Sequence, residues 1–236
     1  MIRFFMILLG AGLLIGGTVM FISSSPKEEL RQMDAAKRTA ILVPLAEKGD
    51  IAALVELAGY YRSGRGIKAD PVKAFQLYQR AEEQGDNNAR YALGQMFEAG
   101  EGVRADAATA AGYYAAAARL GQIADAEYSL GTLYLTGRGV RRDASEAMAW
   151  FLKAARQGHA AAQCQLANLY VAGLLGKPDL IEAYAWYTLA IPNAAAAKAV
   201  KPDLDPVGAR DALVKSMDQF QIGLAMRRAE ALLKGR

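Results

Sequence analysis

The stretch AEYSLGTLYLTGRGVRRDASEAMAWFLKAARQGH, residues 126–159, decides the fold because similar stretches recur along the chain. Its segment from Leu130 to Gly137 aligns with segments that begin at Leu57, Leu93 and Leu166, at successive intervals of 36, 37 and 36 residues. In every copy an Asp lies six residues after the closing glycine, and Ala, aromatic and Ala residues follow that Asp in register. Four copies at this period are typical of a helical solenoid.

Each copy predicts two helices joined by a turn. In the first copy Ala53, Leu57 and Tyr61 are spaced by four residues and therefore share one face of a helix. Gly64 can adopt the left-handed conformation that ends a helix, and Asp70 is suited to cap the helix that follows. Because one such pair cannot bury its apolar face alone, the copies are expected to stack into a continuous array.

The repeated motif resembles the Sel-1-like repeat family, a branch of the tetratricopeptide-like solenoids. The third copy carries the family motif at Leu130-Gly131, Tyr134, Gly137-Arg138-Gly139-Val140, Asp143 and Ala154-Ala155. The fourth copy departs from the motif at its turn, which reads Gly173-Leu174-Leu175-Gly176. The resemblance spans about residues 50–195. It implies an all-α fold, an α-solenoid of about four antiparallel helix-pair repeats, and a role in binding protein partners.

The regions on either side of the repeats are expected to cover the ends of the array. After Ala190 the repeat pattern breaks at Pro192, and the remaining sequence predicts a loop and closing helices. The predicted organisation is a transmembrane anchor or signal over 1–25, a linker and N-terminal capping helix over 26–49, repeats over 50–85, 86–122, 123–159 and 160–195, and a loop with C-terminal capping helices over 196–236.

An apolar, uncharged run from Phe4 to Ile22 predicts an N-terminal transmembrane helix. As a helix this run is about 28 Å long, close to the thickness of one hydrocarbon core. A cleaved signal peptide, leaving a soluble periplasmic protein, is the alternative. Lys27, Arg31, Lys37 and Arg38 after the run favour a cytoplasmic body, but long domains cross membranes largely regardless of charge. We therefore expect a single-pass protein with its body on the periplasmic or extracytoplasmic side, the cytoplasmic side being the alternative.

Composition argues against most catalytic and metal-binding classes. One Cys, Cys164, and one His, His159, leave too few ligands for a thiolate cluster or a multi-histidine site within one chain. The repeated Asp residues have a structural explanation as helix caps, so they do not form a catalytic carboxylate pair. A net charge of +4 is too small to indicate nucleic acid. We expect no enzymatic activity, no cofactor, no metal, no nucleic-acid partner and no small-molecule substrate.

One face of the first helices is a candidate protein-binding groove. Positions two before, two after and five after the leading Leu point away from that Leu on a helix. Tyrosines beside Gln, Thr and Asn at these positions are typical of protein-binding surfaces. The alternative is that the tyrosines pack against the neighbouring repeat. The candidate groove residues are Tyr91, Gln95, Glu98, Tyr128, Thr132 and Asn168.

These features together predict a non-enzymatic, membrane-tethered scaffold or adaptor that binds a protein partner in a bacterial-type cell envelope. The alternative is a transient assembly factor or chaperone for a membrane or secretion complex. Both use a solenoid surface, so the sequence does not separate them.

Overall fold

The computed structural model describes residues 35–174 and 176–235, except for the side chain of Ala36. The predicted membrane segment over residues 4–22 lies outside the described residues. None of the helices within the described ranges combines the length and apolar character needed to cross a membrane.

The described chain is a succession of short helices connected by tight turns. Most are 13 residues long, and their order confirms the all-α helix-pair architecture. The helices are α1 Ala35–Glu47, α2 Ile51–Ser63, α3 Pro71–Glu83, α4 Asn87–Ala99, α5 Ala107–Gly121, α6 Ala124–Thr136, α7 Ala144–Arg156, α8 Ala160–Ala172, α9 Leu180–Ala190, a 3-10 turn Ile191–Asn193, α10 Ala194–Val200, α11 Pro206–Val214 and α12 Gln219–Lys234.

The caps predicted from the sequence are confirmed. Each of the first helices α2, α4, α6 and α8 ends at a glycine in the left-handed conformation, Gly64 being the first of them at φ 71°. Each of the second helices α3, α5, α7 and α9 begins after an Asp whose carboxylate accepts backbone N–H bonds from its first turn. The repeating Asp residues are therefore structural caps, which satisfy N–H groups that a helix start leaves unpaired.

Small residues allow the helices to pack closely. The α2–α3, α4–α5, α6–α7 and α8–α9 pairs make the four repeats, and α1 packs on α2 as a preceding second helix does. Fully buried alanines recur along the second helices beside buried aromatics such as Tyr114 and Phe151. At Gly139, with φ 69°, an added Cβ would lie 2.2 Å from the backbone of Ala107. The turn of one repeat thus rests directly on the start of the previous second helix.

The carboxyl-terminal helices cover the fourth repeat. Helix α10 lies on α8, whereas α11 and α12 lie on α9. Leu213, Met217, Ala225 and Ala229 are buried in the same core cluster as Trp186. Helix α8 is consequently buried over most of its surface, with nine buried residues among its thirteen.

Candidate functional site

The first helices of the repeats present a partly exposed side, which we call the first-helix face. It contains the residues that the sequence places opposite the leading leucines. Their burial differs along the array: Tyr91, Gln95, Glu98, Tyr128 and Thr132 are half-buried, whereas Asn168 is exposed. These side chains are engaged in hydrogen bonds or ring contacts, so each has a defined position on the face.

Arg62 links the first repeat to the second. Its Nη1 donates to Gln95 Oε1 at 2.7 Å, and its Nε donates to Glu101 Oε2 at 2.5 Å. Gln95 in turn donates from Nε2 to the hydroxyl of Tyr91 at 2.8 Å. The interaction with Glu101 raises the pKa of Arg62 although burial opposes it. A charged pair and an amide thus join two repeats in one network.

Glu98 links the second repeat to the third by the same contact with the charges exchanged. It receives a hydrogen bond from the hydroxyl of Tyr114 at 2.7 Å and pairs with Arg138 Nη1 at 3.2 Å. Glu98 is equivalent in register to Arg62, and Arg138 is equivalent to Glu101. Burial and the adjacent Glu98 raise the pKa of Tyr114, so its hydroxyl remains a donor at neutral pH.

The two tyrosines of the face pack at the repeat junctions. The ring of Tyr91 lies 5.7 Å from that of Tyr114 in its own repeat and packs against the core cluster that Tyr114 shares with Leu130 of the third repeat. Burial raises the pKa of Tyr91. The ring of Tyr128 is stacked at 4.8 Å on His159, which caps the first helix of the next repeat. Thr132 donates from its hydroxyl to the carbonyl oxygen of Tyr128 at 3.0 Å. Part of each tyrosine side chain is thus packed, as the packing alternative expects, and the remaining part stays exposed on the first-helix face.

Asn168 occupies a different environment at the end of the face. Its amide donates to Gln165 Oε1 at 3.0 Å, and its oxygen accepts from the hydroxyl of Tyr187 at 2.5 Å. The segment that contains Asp203 and Leu204 lies beside it and lines a cavity of about 380 Å³ together with it. The carboxyl-terminal segment therefore borders the first-helix face at the fourth repeat, where Asn168 itself stays exposed.

Sequence reasoning missed three residues of the network, Glu101, Tyr114 and Arg138. Glu101 and Arg138 lie in turns whose sequences resemble each other from repeat to repeat, so neither residue stands out as part of a site. Their partners, Arg62 and Glu98, are about 40 residues away in the sequence. A comparison of charges at equivalent positions of successive repeats is the signal that would have found them, because Arg62 and Glu98 alternate as Glu101 and Arg138 do.

The residues with catalytic potential are engaged structurally. His159 Nδ1 accepts the Ala162 N–H at 3.1 Å and so caps α8, while its Nε2 lies 3.1 Å from Asp125 Oδ1. Burial raises the pKa of the Cys164 thiol to about 12, which keeps it protonated at neutral pH. Within residues 35–174 and 176–235, no cluster of three or more His, Cys, Asp or Glu side chains could hold a metal ion.

The Sel1 repeat family model matches residues 51–86, 87–122, 124–159 and 160–191, more than half of the chain. No curated protein matches the sequence. A solved Sel1 repeat protein from Oxalobacter formigenes is 27% identical, with 86% of this chain and 80% of that chain covered and a TM-score of 0.67.

A protective antigen of uropathogenic Escherichia coli with an SLR fold is 24% identical, with 85% of this chain and 49% of that chain covered and a TM-score of 0.50. An immunity protein from Pseudomonas aeruginosa is 22% identical, with 83% and 75% covered and the same TM-score of 0.50. These two likenesses show the solenoid fold alone.

Proposed function

The chain belongs to the Sel1 repeat family, and we propose that it is a membrane-tethered scaffold that holds a protein partner on the first-helix face of its first three repeats. Sel1 repeat proteins are protein-interaction scaffolds that bind protein partners, and the fold is generally non-catalytic. Family membership alone does not select a surface, since solenoids present several.

The observation that carries the choice of surface is the network from Arg62 through Gln95 to Tyr91. Its donors and acceptors hold one another in place on a half-exposed face. A partner that binds there meets side chains that are already ordered, so less conformational entropy is lost on binding. Tyrosine and arginine are also, with tryptophan, enriched among energetically important interface positions.

The same face ends at the fourth repeat, which limits the length of the partner segment. Residues near Leu204 lie against Cys164 there and are buried with it in one small cluster. A partner segment therefore has three repeats to contact before it meets the carboxyl-terminal cover.

Membrane tethering is the second part of the proposal and rests on the sequence from Phe4 to Ile22. An uncharged apolar run of this length is sufficient to cross a hydrocarbon core as a helix. We place the repeat body outside the cytoplasm, in the cell envelope, where a tethered scaffold can hold a partner near the membrane.

Site-specific crosslinking in cells tests the binding surface. A photo-reactive amino acid replaces Thr132 on the face or, as the matched control, Ala149 on the exposed side of α7. We expect a discrete crosslinked species from the Thr132 position and not from the Ala149 position. Mass spectrometry of that species identifies the partner.

A substitution within the network tests whether the partner binds the first-helix face itself. Gln95→Lys places a positive charge beside Arg62, without removing an apolar side chain from the core. It should reduce capture of the crosslinked partner by roughly tenfold, as the loss of a central interface contact does. Equal crosslinking from both positions, or capture that Gln95→Lys leaves unchanged, would show that the partner binds elsewhere.

A further inference from the structure

One edge of the solenoid carries an exposed basic residue in every repeat. The turns from first to second helices lie along this edge, which we call the turn edge; their described residues are 64–70, 100–106, 137–143, 173–174 and 176–179. Eleven residues after each leading leucine, each turn places a basic side chain in solvent. We call these four the basic column; they are Lys68, Arg104, Arg141 and Lys177.

The basic column is not neutralised by ion pairs. Among the described residues, no carboxylate lies within ion-pair distance of any of the four side chains. Arg65 and Arg142 add two more exposed basic side chains to the same turns. The turn edge therefore presents a row of available cations about as long as the array of repeats.

The Asp residues that end the turns cap the helices that follow, although Asp106 and Asp179 stay solvent-exposed. The Asp that ends each turn accepts hydrogen bonds from the first backbone N–H groups of the following helix, as Asp106 does from Ala108 and Thr109. The partial positive charge of a helix start compensates a carboxylate held in this way. Among the described residues the four basic side chains thus face solvent without an ion pair, although Arg104 interacts electrostatically with Asp106.

The chain reaches the body at this same edge. Helix α1 ends at Glu47 and α2 begins at Ile51, so a short turn makes the two helices antiparallel neighbours. Because α1 and α2 have equal lengths and α2 ends at the turn edge beside Gly64, the start of α1 at Ala35 also lies at the turn edge.

The sequence before α1 keeps this edge near the apolar run. Twelve residues separate Ile22 from Ala35, and they span at most about 45 Å even when fully extended. This interval contains Lys27 and Arg31 together with Glu28, Glu29 and Asp34, so it adds no net positive charge between the apolar run and the body. If residues 4–22 are in a membrane, the turn edge is the part of the body that the chain holds closest to it.

We propose that the basic column lies against the anionic headgroups of the membrane and orients the repeat body with its turn edge toward the bilayer. This inference rests on the tethering part of the proposed function. Phosphate groups of lipids attract clustered Lys and Arg side chains over a distance of about one Debye length. An acidic protein segment has a similar charge, but the chain itself brings a membrane surface to this edge.

Orientation is measured with the full chain reconstituted into nanodiscs. In a Cys164→Ala background, a donor dye is attached through Ala69→Cys at the turn edge or through Glu83→Cys at the opposite edge, both exposed positions. Headgroup-labelled acceptor lipid reports the distance of each dye from the bilayer. One set of nanodiscs is phosphatidylcholine alone and the other contains phosphatidylglycerol.

The proposal expects energy transfer from position 69 to rise with phosphatidylglycerol and to exceed that from position 83. The variant Lys68→Gln/Arg104→Gln/Arg141→Gln/Lys177→Gln should return the transfer to its phosphatidylcholine value. Raising the salt from about 0.15 M to about 0.5 M should do the same, since a roughly twofold shorter screening length weakens the attraction. Its melting curve serves as the folding control. Transfer that is equal in the two lipids, or unchanged in the variant, would overturn the proposal.

Flotation with vesicles separates this inference from the tether. Full chain that floats with phosphatidylcholine vesicles supports the tether, whatever the basic column does. Chain that floats only with phosphatidylglycerol vesicles, with at least about tenfold weaker binding in the quadruple variant, excludes the tether and supports the column. Chain that floats with neither excludes both. Loss of a crosslinked protein partner in the quadruple variant, with unchanged lipid readouts, would assign the column to an acidic protein and overturn the membrane proposal.

Discussion

The first three repeats and the fourth repeat share one helix-pair design but differ in what joins and covers them. Arg62 with Glu101 and Glu98 with Arg138 bridge the first two junctions. At the equivalent positions of the third junction the chain has Leu135 and Leu174, which carry no charge.

The cover differs as well. The fourth repeat is overlaid by α10, α11 and α12, and its first helix is mostly buried, whereas the first helices before it keep a half-exposed side. The same motif therefore serves as a binding surface where it is open and as a core where further chain covers it. Charged, paired side chains occur on the open part, whereas the covered helix α8 contains no Asp, Glu, Lys or Arg.

Substitution of a turn glycine is expected to have the largest effect on stability among the tests of the difference between the first three repeats and the fourth. Gly139→Ala places a Cβ 2.2 Å from the backbone of Ala107, at a φ of 69° that L-residues rarely adopt. We expect a loss of about 3 kcal/mol or more, which lowers the Tm by roughly 6–12 °C. Thermal unfolding of the full chain, followed by circular dichroism, measures the effect. At this register the fourth repeat has Leu175 instead of glycine.

Gly112→Ala is the matched control, since Gly112 lies in the exposed middle of α5 and no atom is within 4 Å of an added Cβ. It should raise stability by about 0.5–1 kcal/mol through helix propensity. Equal Tm values for Gly139→Ala and Gly112→Ala would show that the turn does not rest on the preceding helix.

The charged junctions can be broken and repaired. Arg62→Glu brings two carboxylates together at Glu101 and removes the donor to Gln95, so we expect a loss of about 1–2 kcal/mol, moderated by partial exposure. Arg62→Glu/Glu101→Arg restores opposite charges and should recover more than half of that loss. Denaturant unfolding of the wild type, Arg62→Glu, Glu101→Arg and the double variant gives the coupling energy as a double-mutant cycle.

The second junction supplies the control for charge order. Glu98→Arg/Arg138→Glu should also be closer to wild type than either single variant, though with weaker coupling because Arg138 is 56% exposed. Additive losses at both junctions, with no recovery in either double variant, would contradict the role given to these pairs.

A buried carboxylate distinguishes the third repeat from the fourth. Glu127 is 4% exposed and accepts from Gln157 Nε2 at 2.7 Å, whereas the fourth repeat has Gln163 at the same register. Burial raises the pKa of Glu127 above its usual value. Because the pKa of Glu127 is higher in the folded than in the unfolded state, protonated Glu127 favours folding fully only below the unfolded-state pKa. This contribution to stability is lost as the pH rises through the folded-state pKa.

Glu127→Gln should therefore stabilise the protein by up to about 1 kcal/mol at pH 7, a Tm gain of about 2–4 °C, and by almost nothing at pH 4. The amide oxygen still accepts from Gln157. Thermal unfolding at several pH values measures the difference, with Glu83→Gln at an exposed position as control. A gain that does not change with pH would indicate repacking rather than titration.

The smallest expected effect concerns the boundary between the second and third repeats. Gln122 has a φ of 50°, in the left-handed region, where the other boundaries have Gly49, Gly85 and Gly158. Gln122→Gly should stabilise by about 0.5 kcal/mol, since relief of left-handed strain slightly exceeds the added flexibility of the unfolded chain. Gly85→Gln, the reverse change at an equivalent boundary, should destabilise by a similar amount. Denaturant unfolding measures both, and shifts of the same sign would contradict this explanation.

The fold could be predicted because its determinants recur at fixed spacing. Capping residues such as Asp70 and closing glycines such as Gly64 act within one or two turns of their own position, so local sequence is sufficient to place them. The position of α10 against α8 was not predictable in this way, because Ala197 and Leu204 leave the repeat pattern.

The site was predictable only as a set of positions on one side of a helix. The choice of Tyr91, Gln95 and Glu98 follows from helical geometry, whereas their partners depend on how far one repeat rotates on the next. Arg62 comes from the first repeat and Arg138 from the third, one on each side of the second repeat. The pairing of Glu98 with Arg138 spans 40 positions of sequence. Sequence patterns within a single repeat contain no information about such pairs. Whether the six groove residues bind a partner stays a prediction for crosslinking.

The exchange of charge between the two junctions also encodes the order in which similar units assemble. If the first repeat stacked directly on the third during folding, Arg62 would face Arg138 and two positive charges would meet. If the second stacked on the fourth, Glu98 would face Leu174 and lose its cation. Out-of-order stacking and exchange of units between chains are characteristic failures of repeat proteins. Alternating charge disfavours out-of-order stacking, because it selects the correct neighbour among four similar surfaces.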